Sequence, residues 1–184
     1  MSDSLPEPTL RRVLALSLMD GWCMTLFSGF CTSVSLLTGE WTGACVGAIV
    51  MSCGVTTLRS RKRLIVGDAV GIVWLLRAQL VVLTIVFLYV LGNLLAYDTA
   101  ALMAHLTPEI RNMLDQYGVS LADLESLMKP LYFGIYLLVM AGTLLFQGGL
   151  ALFYKTRRGQ VTAELAARLT AQFSAPVKPA GTLN

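Results

Sequence analysis

The chain has 184 residues, of which 55% are hydrophobic and 14% charged, and its mean hydropathy is +0.68. A soluble domain carries about 25% charged residues, and an apolar load of this size cannot be hidden in the core of so short a chain. Composition therefore excludes a soluble enzyme, a disordered chain and a nucleic-acid-binding module, and leaves an integral membrane protein. The net charge of +3, from 14 basic and 11 acidic residues, says less than where those charges sit.

Residues 1–12 form an N-terminal segment that ends in Arg11 and Arg12. The first apolar stretch follows over 13–37 and is interrupted only by Asp20. Twin arginines before an apolar run resemble the start of an export signal. The run is about 25 residues long, however, beyond the h-region of a signal peptide, and no A-x-A-like site closes it. A retained span is expected. The second stretch, 42–58, is short and rich in small residues. It is needed to bring the chain back between Glu40 and the cluster Arg59, Arg61, Lys62 and Arg63. The third, 72–97, is dense in Val, Leu and Ile, and the fourth, 131–154, holds no charge. Crossing about 30 Å of hydrocarbon takes roughly 20 helical residues, so the expected fold is all-α: an integral membrane bundle of four transmembrane helices.

The loops set the orientation. Basic clusters lie before the first span, after the second, and after the fourth at Lys155, Arg157 and Arg158. The connections between them are acidic: Glu40 alone in one, and Asp98, Glu109, Asp115, Asp123 and Glu125 against Arg111 and Lys129 in the other. Four spans with both termini in the cytoplasm meet the positive-inside rule. The expected location is the cell membrane, with residues 13–158 as the membrane domain and 159–184 as a cytoplasmic tail.

The outer connection carries helix signals. Thr107-Pro108-Glu109 reads as a cap, a proline at the first helical position and a first-turn acid, and Gly118 as a stop. Ser120 with Asp123 approximates a capping box. Two amphipathic helices, about 108–117 and 121–129, are expected as a short helical cap sealing the outer end of the bundle. Between the second and third spans, one helix over 64–97 would be about 51 Å long, so a break at Gly67–Asp68 is expected, with Asp68 as N-cap. In the tail, Val161, Leu165, Leu169 and Phe173 recur every four residues, the pattern of a short surface helix, and 174–184 is expected to be disordered.

Small residues form rows. Gly21, Thr25, Ser28, Thr32 and Ser35 recur at steps of four and three in the first span. In the second, Gly43 and Gly47 make a G-x-x-x-G step that Gly54 extends along the same face, and Gly134, Ala141 and Gly148 repeat every seven in the fourth. Lipid gives helices no hydrophobic reason to associate, so close approach through small residues supplies the packing. That reading is preferred to a lined pore. The four cysteines, Cys23, Cys31, Cys45 and Cys53, lie in the same apolar stretches with no histidine near them in sequence. They are read as further small packing residues rather than metal ligands.

The intramembrane polar residues are the strongest functional lead. Asp20 and Gln147 each lie about 12 Å from the inner boundary by helix rise, and Arg77 stands at the cytoplasmic end of the third span. A lone carboxylate at that depth is costly. An Asp20–Arg77 pair with Gln147 nearby is the expected arrangement, and helix fixation is preferred to a proton or ion relay. No hydrolase elbow, zinc-protease helix, P-loop or dinucleotide fingerprint is present. No cofactor is implied. The expected role is a non-catalytic structural or accessory subunit, surrounded by lipid and assembled with copies of itself or with partner membrane chains. The alternative is a small oligomeric transporter or channel using the intramembrane polar residues.

Overall fold

A computed structural model of the chain describes residues 8–98 and 121–174, together with Glu109, Met113 and Gln116. Among the described residues the secondary structure is helical throughout, in the order α1 (Pro8–Leu37), α2 (Trp41–Val66), α3 (Val70–Leu95), α4 (Leu121–Thr143), a π-helical turn (Leu144–Gly148) and α5 (Gly149–Ser174). Four helical stretches are long and apolar enough to cross a membrane: Pro8–Leu37, Trp41–Val66, Val70–Leu95 and Ser126–Ala171. Their outer faces carry large apolar side chains, Leu26, Phe27, Phe30, Leu138 and Leu145 among them, which a soluble protein would not leave in contact with water.

Both tight corners are closed the same way. Gly39 and Gly67 adopt left-handed backbone, with φ of 76° and 95°. The amide that follows each of them reaches back five residues: Glu40 N–H donates to the Ser35 carbonyl at 2.8 Å, and Asp68 N–H to the Arg63 carbonyl at 2.9 Å. This is the Schellman stop, which satisfies orphan carbonyls at a helix end and favours glycine at the left-handed position. The Asp68 carboxylate then accepts from the Val70 amide at 2.9 Å and caps α3.

Several boundaries differ from the sequence reading. α2 does not end near 58 but continues through the arginine cluster to Val66. The expected outer helix 121–129 is the first part of α4, which runs on through Pro130. A proline there removes one backbone bond, a loss that apolar helices tolerate. The tail beyond 159 is not a separate surface helix. α5 carries straight through it, and Val161 and Leu165 are buried. The outer helix over 108–117, apart from Glu109, Met113 and Gln116, and the tail after 174 lie outside the described residues.

The described residues divide into two compact units. The first runs up to Val82 and resumes at Gly148. Its core takes Leu10 and Val13 from α1, Leu64 from α2, Ile72 and Leu75 from α3, and Leu150, Tyr154, Val161 and Leu165 from α5. Leu10 and Leu165 lie beyond the stretches the sequence assigns to hydrocarbon, and α1 and α5 still pack together there. The Leu10 amide donates to the Glu164 carboxylate at 3.3 Å there, and Arg61 Nε to the Leu14 carbonyl at 3.1 Å.

The second unit, Leu83–Gln147, is organised by aromatic rings. Tyr132 lies 4.8 Å from Tyr97 and 4.6 Å from Tyr136 between ring centroids, and its hydroxyl donates to the Asn93 carbonyl at 3.3 Å. Beside these rings, Phe87, Leu88, Met140, Ala141 and Leu144 line an apolar cavity of about 430 Å³.

Candidate functional site

The site rests on the register of α1 against α2. A Cβ placed on Gly54 would stand 2.9 Å from the Thr25 amide nitrogen and 3.1 Å from the Gly21 carbonyl oxygen. One on Gly21 would meet Leu58 at 2.8 Å, and one on Gly43 would meet the Ser35 hydroxyl at 2.7 Å. Gly47 abuts Thr32 and the Ser28 carbonyl in the same way. The two helices therefore run antiparallel at backbone contact along most of their length. The hydroxyls on the seam do not obstruct it, because they fold back on their own helix. Thr25 donates to the Gly21 carbonyl at 2.7 Å, Thr32 to Ser28 at 2.7 Å, and Ser28 to Met24. Local bonds of this kind keep a polar residue satisfied in apolar surroundings.

The same register sets Thr57 level with Asp20 and Ser60 level with Ser17. All four are buried, and Asp20 is only 2% exposed. α3 closes over them. Gly71 allows that approach, since a Cβ there would stand 2.7 Å from the Ser60 carbonyl oxygen. Gln79, fully buried, donates its Nε2 to Asp20 Oδ2 at 2.5 Å. A hydrogen bond to an ionised carboxylate in a low-dielectric interior is among the stronger neutral-to-charged contacts a fold can make. From α5, Tyr154 is also fully buried, in the core that holds Ile72 and Leu75 of α3.

Three polar atoms of this cluster, Thr57 Oγ1, Gln79 Oε1 and the Tyr154 hydroxyl, are buried without a hydrogen-bond partner. Leaving such a group unmade costs about 1–3 kcal/mol. Thr57 stands out because its neighbours Thr56 and Ser60 both donate to carbonyls four residues back, at 2.8 and 2.7 Å.

The placement of the sequence-predicted residues is mixed. Asp20 is at the centre, but the side chain on its Oδ2 is Gln79, which sequence reasoning passed over. Arg77, expected there, is exposed, and its guanidinium lies 5.5 Å over its own helix neighbour Trp74. Two residues along a helix turn the side chain through about 200°, so positions 77 and 79 cannot serve the same face. Gln147 belongs to the second unit, where it is buried in the π turn with its Oε1 unpartnered. Gly21, Ser28, Gly43, Gly47 and Gly54 line the α1–α2 contact. The third row differs: on α4, Gly134 has no described atom within 4 Å of a would-be Cβ and Ala141 is exposed, and Gly148 in the π turn is half-buried. The four cysteines are free, and among the described residues no group of three or more His, Cys, Asp or Glu is placed to hold a metal.

No protein-family model, no curated protein and no solved structure matches the chain.

Proposed function

We propose that the chain is a non-catalytic subunit of a membrane assembly, built with copies of itself or with partner membrane helices. The supporting observation is the contrast between two small-residue rows. On α2, Gly47 and Gly54 are covered by α1. On α4, Gly134 and Ala141 lie open on the surface, amid exposed Leu131, Ile135 and Leu138. Small-residue rows bring apolar helices together when a second helix is present to fill them, and a helix of another chain would supply it. The surrounding solvent is the lipid bilayer, and no nucleic acid is involved. In mild detergent or nanodiscs, native mass spectrometry should show a defined oligomer or complex. Gly134→Leu with Ala141→Leu should shift it to the single chain with helicity and melting temperature retained. A wild type that stays a single chain when extracted from its own membrane overturns this reading.

The orientation we propose is both termini in the cytoplasm of a cell-membrane protein. It is supported by the alternation of basic and acidic connections and by Trp41 and Tyr97 at the ends opposite the arginine cluster, where aromatic side chains favour the membrane–water boundary. Single cysteines at Thr42, Gln116 and Arg157, in a cysteine-free background, give the check. An impermeant thiol reagent should label positions 42 and 116 in intact cells and position 157 only after lysis. Labelling of 157 without lysis reverses the assignment.

The buried Asp20–Gln79 cluster favours a second reading, a small oligomeric transporter or channel. Loss of ion or proton flux in a folded Asp20→Asn variant, reconstituted beside an active wild type, would promote it over the first.

A further inference from the structure

We propose that the polar cluster of the first unit binds one monovalent cation of the sodium type, held by the Asp20 carboxylate together with oxygens of Gln79, Thr57 and Tyr154. The site stands independently of the assembly reading, since all four side chains belong to one unit of one chain.

Three observations converge. The first is the set of buried, unpartnered oxygens: Thr57 Oγ1, Gln79 Oε1 and the Tyr154 hydroxyl come from three different helices, on side chains with no exposure. Helix packing alone has no use for three such groups in one place, and Thr57 has the local carbonyl bond open to it that Thr56 and Ser60 take. The second is their gathering on one carboxylate. Gln79 is bonded to Asp20 at 2.5 Å, the α1–α2 register sets Thr57 level with Asp20, and Tyr154 packs in the same core as Leu75, one helical turn from Gln79.

The third is the chemistry of the donors. A carboxylate, an amide carbonyl and two hydroxyls are hard oxygen ligands, suited to alkali and alkaline-earth ions and poorly suited to metals that seek nitrogen or sulfur. The set holds a single carboxylate, where sites for divalent ions such as calcium gather several, so a monovalent ion is the better fit. A water molecule could bridge the same oxygens but would bring no charge.

The test uses the purified wild-type chain in detergent, melted at constant ionic strength while choline chloride is exchanged for sodium chloride. A ligand that binds only the folded state stabilises it by mass action. About tenfold saturation should raise the melting temperature by about 3–6 °C, with a smaller effect of potassium. Thr57→Val, which keeps the shape and removes one ligand, should lose most of the sodium response, and Asp20→Asn all of it. Melting curves identical in sodium, potassium and choline would overturn the proposal and leave water as the partner of these oxygens. A sodium shift that persists undiminished in Thr57→Val would overturn it too, by putting the ion elsewhere, and this arm holds even if Asp20→Asn fails to fold.

Discussion

Gly54→Leu should remove the folded bundle from detergent extracts, or lower its melting temperature by more than 10 °C, while Gly134→Leu leaves the melting temperature within about 2 °C of wild type. The two substitutions are chemically identical and both fall in apolar helices. They differ in what a side chain would meet. At Gly54 the first carbon already stands 2.9 Å from the Thr25 amide nitrogen and 3.1 Å from the Gly21 carbonyl oxygen, and these are backbone atoms that no rotamer change can move. At Gly134 the space is open. Forcing methylenes into a packed interior costs about 1–3 kcal/mol when side chains can shift, and more is expected where a helix axis must be displaced. The displacement would also pull Thr57 away from Asp20, so the damage would not stay local. Thermal melting followed by circular dichroism, with Val81→Leu as an exposed apolar control, measures the contrast. Equal melting of the Gly54 and Gly134 variants would mean that α1 and α2 do not meet through this seam.

The legibility of that seam, and the illegibility of what lies beside it, have one physical cause. A row of small residues at steps of four and three is conspicuous against a background of Leu, Val and Ile, so Gly21, Ser28, Gly47 and Gly54 can be read from spacing alone. The buried face of α3 cannot. In water, a helix shows its inner face as an apolar stripe on a polar cylinder. In lipid the outer face is apolar too, and Ile72, Leu75 and Val82, which are buried, look no different from Leu80 and Phe87, which are exposed. Gln79 falls on that inner row, and only the three-dimensional arrangement reveals the row. Charge alone points to Arg77, because opposite charges attract, and does not tell which face of α3 it occupies. The π turn at Leu144–Gly148 has no sequence signature, and the burial of Val161 and Leu165 depends on Leu10 and Val13 of α1 and Leu64 of α2 packing with them. The α4 row illustrates the converse. Its spacing is plain, yet among the described residues nothing fills Gly134, because spacing marks a surface that can pack and does not say where its partner comes from.

Gln79→Leu should destabilise the chain by about 2–3 kcal/mol, the range for a hydrogen bond to a charged group whose partner stays buried, and Arg77→Gln by no more than about 0.5 kcal/mol, as for an exposed side chain away from packing. Leucine is close to glutamine in volume, so the loss at Gln79 would report the missing donor rather than a cavity. The carboxylate of Asp20 would then remain in low dielectric with its Oδ2 stripped of the 2.5 Å bond. Removing the charge as well should restore part of the loss, because the penalty belongs to the stranded carboxylate and not to the absent amide. The double variant Asp20→Asn with Gln79→Leu should therefore melt above Gln79→Leu alone. A coupling of at least about 1 kcal/mol between positions 20 and 79, beside none between 20 and 77, is the expected outcome of the two double-mutant cycles. Additive effects at 20 and 79 would show that the amide does not carry the carboxylate. Coupling at 77 in its place would return the arginine to the position that charge alone assigns it.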